Sequence, residues 1–211
     1  MRLSSFQQSL LYGIAFTNGA LLMGMEILGS RILAPVLGNS IFVWGSLIGV
    51  FMGGMAVGYY VGGWLGDRFP LPSVLVSLLG FSALYLLLLP LWATPFSLFL
   101  ADLEFDPRVS ALLASLTLFY VPSLSMGAVS PFLFVLLFKG RQHAGRSVGA
   151  LYAVSTVGSI AGTIGTAFFL ILWLGTRASF YLLGGGMALL ALLAATVLST
   201  KRFEEETRDV G

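Results

Sequence analysis

The chain has 211 residues, of which 57% are hydrophobic and 9% charged, with a net charge of +2 and a mean hydropathy of +0.95. An ordinary soluble domain carries about 25% charged residues, so this composition excludes one and calls for a bilayer as solvent. With no cysteine there is no disulfide framework, thiol nucleophile or thiolate metal site, and the basic residues form short clusters rather than the stripe of a nucleic-acid binder.

The ionisable residues punctuate the sequence. After Arg31 they recur at Asp67 and Arg68, from Asp102 to Arg108, from Lys139 to Arg146, at Arg177 and from Lys201 onward. The apolar runs between them reach the roughly 20 residues that a helix needs to cross about 30 Å of hydrocarbon. The expected fold is all-α, a polytopic six-helix transmembrane bundle with spans over roughly 10–34, 41–65, 71–92, 110–138, 147–174 and 178–199. On that reading 1–200 is a transmembrane helical domain and 201–211 a charged cytoplasmic tail.

The first span holds the most telling residue. A carboxylate near the middle of a bilayer costs about 3 kcal/mol on insertion scales, so Glu26 is a functional-site candidate by default. It is expected to face the bundle interior and to pair with another helix or a cation. Arg31, about 140° further round the helix, is a poor partner and can snorkel to the headgroups. Asn18 is the other polar group of this span. Asn18 and Glu26 also argue against a cleaved signal peptide, as does the lack of an A-x-A-like site after them.

The second span carries glycines at 45, 49 and 53 and again at 54, 58 and 62, two stripes expected to act as packing seams because they let a neighbouring backbone approach. Tyr59 lies among them. Asp67 and Arg68 close the span, and an Asp at a helix C-terminus suggests a contact with the N-terminus or a basic group of another element. The fourth span contains Pro122 and Pro131 with Gly127 between, which free backbone carbonyls and predict a broken or kinked helix, with Tyr120, Ser123, Ser125 and Ser130 as its polar groups. His143 is the lone histidine and has basic neighbours, so it reads as solvated. The fifth span resembles the second, with Gly149, Gly158, Gly162 and Gly165 interleaved with Ser155, Ser159 and Thr163, and it also holds Tyr152.

Orientation follows the Lys/Arg bias of short loops. With the N-terminus cytoplasmic, the inside carries Arg2, Arg68, Lys139, Arg141, Arg146, Lys201, Arg202 and Arg208, and the outside Arg108 and Arg177. Both termini are therefore expected in the cytoplasm, in a bacterial-type inner membrane. The second and fifth spans end alike, in Trp64-Leu-Gly-Asp-Arg68 and Trp173-Leu-Gly-Thr-Arg177, and at the same offset Gly49 matches Gly158 and Gly53 matches Gly162. This hints at two three-helix repeats, which an odd number of spans would invert in the membrane. No G-x-G-x-x-G follows a predicted strand, and there is no P-loop and no H-E-x-x-H, so no cofactor and no metal is expected.

Three blocks carry a family resemblance: Met25-Glu-Ile-Leu-Gly-Ser-Arg-Ile-Leu-Ala-Pro-Val-Leu-Gly38, Val43-Trp-Gly-Ser-Leu-Ile-Gly49 and Gly58-Tyr-Tyr-Val-Gly-Gly-Trp-Leu-Gly-Asp-Arg68. With Pro122 to Pro131 and Gly149 to Gly162, they resemble the membrane domain of spermidine synthase-like membrane proteins, major-facilitator-like helices fused to an aminopropyltransferase domain. Where that pattern has Asn in the fifth span, this chain has Ser155. The soluble domain that would bind decarboxylated S-adenosylmethionine and a diamine has no counterpart in these residues, so a non-catalytic module is expected. The glycine-rich helix ending in Gly-Asp-Arg also resembles major facilitators, of which six helices would be half.

Two functions follow as expectations. The first is a membrane module that binds or transports a small cationic metabolite, a polyamine by the resemblance. Its ligand residues would be drawn from Glu26, Arg31, Asn18, Tyr59, Tyr120, Ser125, Tyr152 and Ser155, its gating residues would be Asp67, Arg68, Pro122 and Pro131, and it would require a homodimer or partner subunit. The second is an anchor for a separately encoded synthase or other partner, docking on Asp67, Arg68, the 139–146 loop and the tail.

Overall fold

The computed structural model of the chain describes residues 4–138 and 144–198. Its elements in order are α1 (Ser5–Leu37), α2 (Ile41–Arg68), α3 (Pro72–Asp102), α4 (Pro107–Phe138), α5 (Ala144–Gly165), a π-helical turn (Thr166–Leu170) and α6 (Ile171–Val197), with no strand among the described residues. Most of the basic loop, including His143, and the charged tail lie outside the described residues, and with them most of the expected docking surface.

Local chemistry sets the helix ends. The Ser4 hydroxyl accepts from the Gln7 backbone N–H at 3.2 Å while the Gln7 side chain accepts from Ser4 N–H at 2.9 Å, a reciprocal cap that satisfies two donors at the start of α1. Gly38, at φ +77°, ends that helix, and Ser40 caps α2 through Val43 N–H at 3.4 Å. Pro72 opens α3 in the first turn, where no N–H is missed.

The third helix differs from expectation, continuing past 92 through Pro90 and Pro95 to Asp102. Supplementary donors support the proline region: Arg177 Nη2 donates to Pro90 O at 3.3 Å and Ser97 Oγ to Ala93 O at 2.8 Å. Likewise α4 runs through Pro122 and Pro131 as one unbroken helix, where a break was an expected alternative.

Five helical stretches are long and apolar enough to cross a membrane, by length and composition. The fifth, Val148–Val197, has 50 residues and would extend about 75 Å if straight, more than twice a hydrocarbon core. Gly175, at φ 72° and ψ 175°, interrupts it. The leg before Gly175 packs on α1 and the leg after it on α3 and α1. Val76, at the start of α3, and Ala195, near the end of α6, line one shallow groove, so α6 runs antiparallel to α3.

Two seams dominate the packing. On α2, a Cβ at Gly54 would lie 2.9 Å from Tyr120 O, and Cβ atoms at Gly58 and Gly62 would collide with the carbonyls of Leu124 and Ala128 on α4. On α5, Cβ atoms at Gly158 and Gly162 would collide with the carbonyls of Phe16 and Ala20 on α1. Each seam is reciprocal, with Gly127 of α4 against the Met55 backbone and Gly19 of α1 against Ser155 O. The expected first stripe of α2 is not a seam: Gly45, Gly49 and Gly53 meet nothing within 4 Å, and neither do Gly149 and Gly165 on α5. The stripes lie on different faces of α2, and α4 covers only one of them.

Gly175 adopts a backbone conformation open essentially to glycine alone. Gly175→Ala is expected to cost about 1–3 kcal/mol of stability in detergent, although a Cβ there has open space. Thermal denaturation of the two proteins checks this, and equal midpoints would contradict it.

Candidate functional site

The crossing of α1 and α4 is built around Asn18. Its Nδ2 donates to Met126 O at 3.0 Å, the residue is 2% exposed, and its Oδ1 has no hydrogen-bond partner among the described residues. The next residue, Gly19, receives α5: a Cβ there would be 3.1 Å from Ser155 Oγ and 3.0 Å from Ser159 Oγ. Ser159 Oγ lies 3.3 Å from Gly19 O and 3.1 Å from Ser155 O, within donating distance of both.

One turn before Ser155, the Tyr152 ring meets Tyr59 of α2 edge to face, with centroids 6.5 Å apart and planes at 84°. Tyr59 O–H donates to Met55 Sδ at 3.7 Å, and the Met55 Cα would lie 3.0 Å from a Cβ on Gly127. Asn18, Ser155, Tyr152 and Tyr59 therefore lie on one run of contacts through α1, α5, α2 and α4. Tyr120 joins it through its carbonyl, which lines the α2 seam.

The other sequence candidates lie elsewhere. Ser125 faces α3, with its Oγ 3.0 Å from Ser82 Oγ and 3.2 Å from Leu78 O. Glu26 is half-buried and stands about 16 Å below the Leu37 end of α1, whereas Tyr59 is about 14 Å from the opposite end of α2. The carboxylate and Tyr59 thus lie on opposite sides of the middle of their helices. Glu26 makes no ion pair or side-chain hydrogen bond among the described residues, so the expected interhelical partner is not formed there. Arg31 is exposed. Asp67 is exposed and makes none of its expected contacts with another element among the described residues; Arg68 lies 6.0 Å from the Phe69 ring centroid. Pro122 is buried and Pro131 half-buried.

Met55 and Ser82 were not singled out in the sequence. The four-residue step from Met55 to Tyr59 was a readable signal, but Ser82 is one hydroxyl in an apolar run. Tyr85 was missed as well; its hydroxyl donates to Thr117 O at 3.2 Å.

The junction of α1, α2, α4 and α5 thus offers an amide oxygen, hydroxyls and aromatic faces, and the Glu26 carboxylate stands apart from it on α1. Among the described residues no group of three His, Cys, Asp or Glu side chains could hold a metal. The family model of the Major Facilitator Superfamily matches residues 9–209, nearly the whole chain. The chain belongs to the Major Facilitator Superfamily. No curated protein and no solved structure matches it. Family membership and the membrane-spanning helices make it an integral membrane protein with a transporter-like membrane domain.

In this facilitator chain the Asn18 amide is one polar tie between the seam pairs. Asn18→Ala is expected to lower stability by about 1 kcal/mol, the usual worth of an interhelical hydrogen bond in a membrane protein. Chemical denaturation in detergent measures it, and a more stable variant would show that the unpaired Oδ1 outweighs the bond.

Proposed function

We propose that the chain is half of a facilitator, a six-span unit that carries a small cationic metabolite across the membrane with Glu26 as its anionic anchor. The observation that carries this reading is Glu26 itself, a carboxylate within a membrane-spanning helix and without a protein counter-ion among the described residues. An unpaired carboxylate costs free energy in hydrocarbon, and a cationic ligand would supply the missing charge. Asn18, Ser155 and Tyr120 are the polar groups proposed to line the path, with Arg31 at its mouth. The resemblance of Met25 to Gly38 and its companion blocks favours polyamines within the cationic class.

The proposed six spans rest on the 50-residue stretch with its reversal at Gly175. The proposed inverted repeat rests on the seams and not on the Trp64/Trp173 alignment, which matches Gly158 and Gly162 with Gly49 and Gly53, two glycines outside any seam. Phe16, Gly19 and Ala20 correspond to Leu124, Gly127 and Ala128 at a constant separation, and Ser155, Gly158 and Gly162 correspond to Met55, Gly58 and Gly62 at another. The same relation pairs Asn18 with Met126, which are in contact and 108 residues apart, as residues on a two-fold axis would be. A second copy, with both termini cytoplasmic as in the first, would complete the carrier.

The test is thermal stability and proteoliposome flux with putrescine, spermidine and spermine, using the wild type and Glu26→Gln. The expected result is a saturable stabilisation of about 2–3 kcal/mol at a hundredfold excess over Kd, lost in the variant together with flux. Equal behaviour of both proteins toward every amine would remove Glu26 from the ligand role.

A further inference from the structure

Besides Glu26, the first helix carries one other charged side chain, Arg31. It is exposed and makes no ion pair or side-chain hydrogen bond among the described residues. A bare guanidinium in a membrane-spanning helix calls for a counter-ion as a bare carboxylate does. The two do not answer each other, since Arg31 lies about 140° round the helix from Glu26. Arg31 instead shares a face with Ala20, which is about 20° away after three full turns.

That face leads into a groove of about 330 Å³ between α1, the π-helical turn and α6, almost wholly apolar and lined by Ala20, Leu21, Gly162, Gly165, Phe169 and Leu183. Close contacts fix the levels of the three helices. The α5 leg runs parallel to α1, with Gly158 at Phe16 and Gly162 at Ala20, while α6 runs antiparallel, with Leu183 at Gly24 and Gly186 at Leu21. Continuing both registers brings Arg31 level with residues 173–176, at the Gly175 reversal. Trp173 is 78% exposed there, as an aromatic side chain at headgroup level is. From Ala20 to Arg31 is about 16 Å along α1, close to the depth of hydrocarbon in one leaflet, about 15 Å.

On the same stretch Phe168, Leu172 and Trp173 protrude. A second bundle pressed against this face would meet those large side chains, whereas helix interfaces in membranes favour small ones. A flexible hydrocarbon chain can lie between them. We infer that the groove and Arg31 together bind an anionic phospholipid of the leaflet in which α1 ends, with one acyl chain in the groove and the phosphate on the guanidinium. Arginine suits this role because its planar donors pair with a phosphate through two parallel hydrogen bonds. The bound phosphate also cancels a positive charge that would repel a cation at the mouth of the proposed path, but the lipid site does not depend on what the chain transports.

Native mass spectrometry of the detergent-purified protein, titrated with dioleoyl phosphatidylglycerol, tests this. A Cβ at Gly165 meets nothing within 4 Å, so Gly165→Leu fills the groove without displacing a neighbour. The wild type is expected to hold one lipid tightly. Arg31→Gln should weaken that binding about fivefold, the worth of one basic residue at an anionic lipid surface. Gly165→Leu should weaken it at least as much with the charge still in place. Dioleoyl phosphatidylcholine, with the same chains and no net charge, should bind the wild type more weakly by a similar factor. If Gly165→Leu does not fold, Ala161→Leu on the same wall takes its place. Unchanged phosphatidylglycerol binding in either variant would overturn the site, as would equal binding of the two lipids or a dimer that excludes lipid from this face.

Discussion

Helices in a bilayer gain nothing from hiding apolar side chains from one another, because lipid tails are as apolar as leucine. What binds them is close contact, and here the closest contact is backbone on backbone. The α2–α4 and α1–α5 seams depend on missing Cβ atoms at Gly54, Gly58, Gly62, Gly158 and Gly162, with Gly127 and Gly19 answering from the opposite helices. Everything else is hung on these two pairs. The Asn18 amide ties them at the α1–α4 crossing, the tyrosine rings tie α2 to α5, and α3 and α6 pack on each other outside the seams.

This arrangement separates hydrogen-bonded polar groups from Glu26, which makes no ion pair or side-chain hydrogen bond among the described residues. Ser82 and Ser125 satisfy each other and Leu78 O between α3 and α4, and Ser123 Oγ donates back to Phe119 O at 2.6 Å. Such bonds occupy two of the hydroxyls of the proline-bearing α4, those of Ser123 and Ser125. Glu26 stands apart from them, on a seam-forming helix but in none of these bonds, which is why the functional reading centres on it.

Much of the fold was legible in the sequence. Charge clusters marked the loops, and the boundaries of α2 and the end of α4 fall within a few residues of the apolar runs. The third span runs ten residues further than expected, because in hydrocarbon a helix has no alternative partner for its backbone and continues through Pro90 and Pro95 where nearby donors help. Glycine spacing revealed that α2 packs closely but not with which face. Gly45, Gly49 and Gly53 have the same four-residue step as Gly54, Gly58 and Gly62, and only tertiary placement tells them apart. The site was less legible. Tyr59, Tyr152, Asn18 and Ser155 were singled out as residues, but their junction depends on how α5 crosses α1, which no local pattern encodes. Ser125 carried the same signal as Ser155 and belongs to a different contact.

If Cβ-free backbone contact at these seams holds the bundle together, a glycine-to-alanine scan across α2 and α5, read by thermal denaturation, will sort the glycines into two groups. Gly58, Gly62, Gly158 and Gly162 are each expected to lose about 1–3 kcal/mol on substitution through overpacking. Gly45, Gly49, Gly53 and Gly149 are expected to lose nothing, or to gain a few tenths to about 1 kcal/mol from helix propensity. Two overlapping distributions would contradict the seam as the source of cohesion.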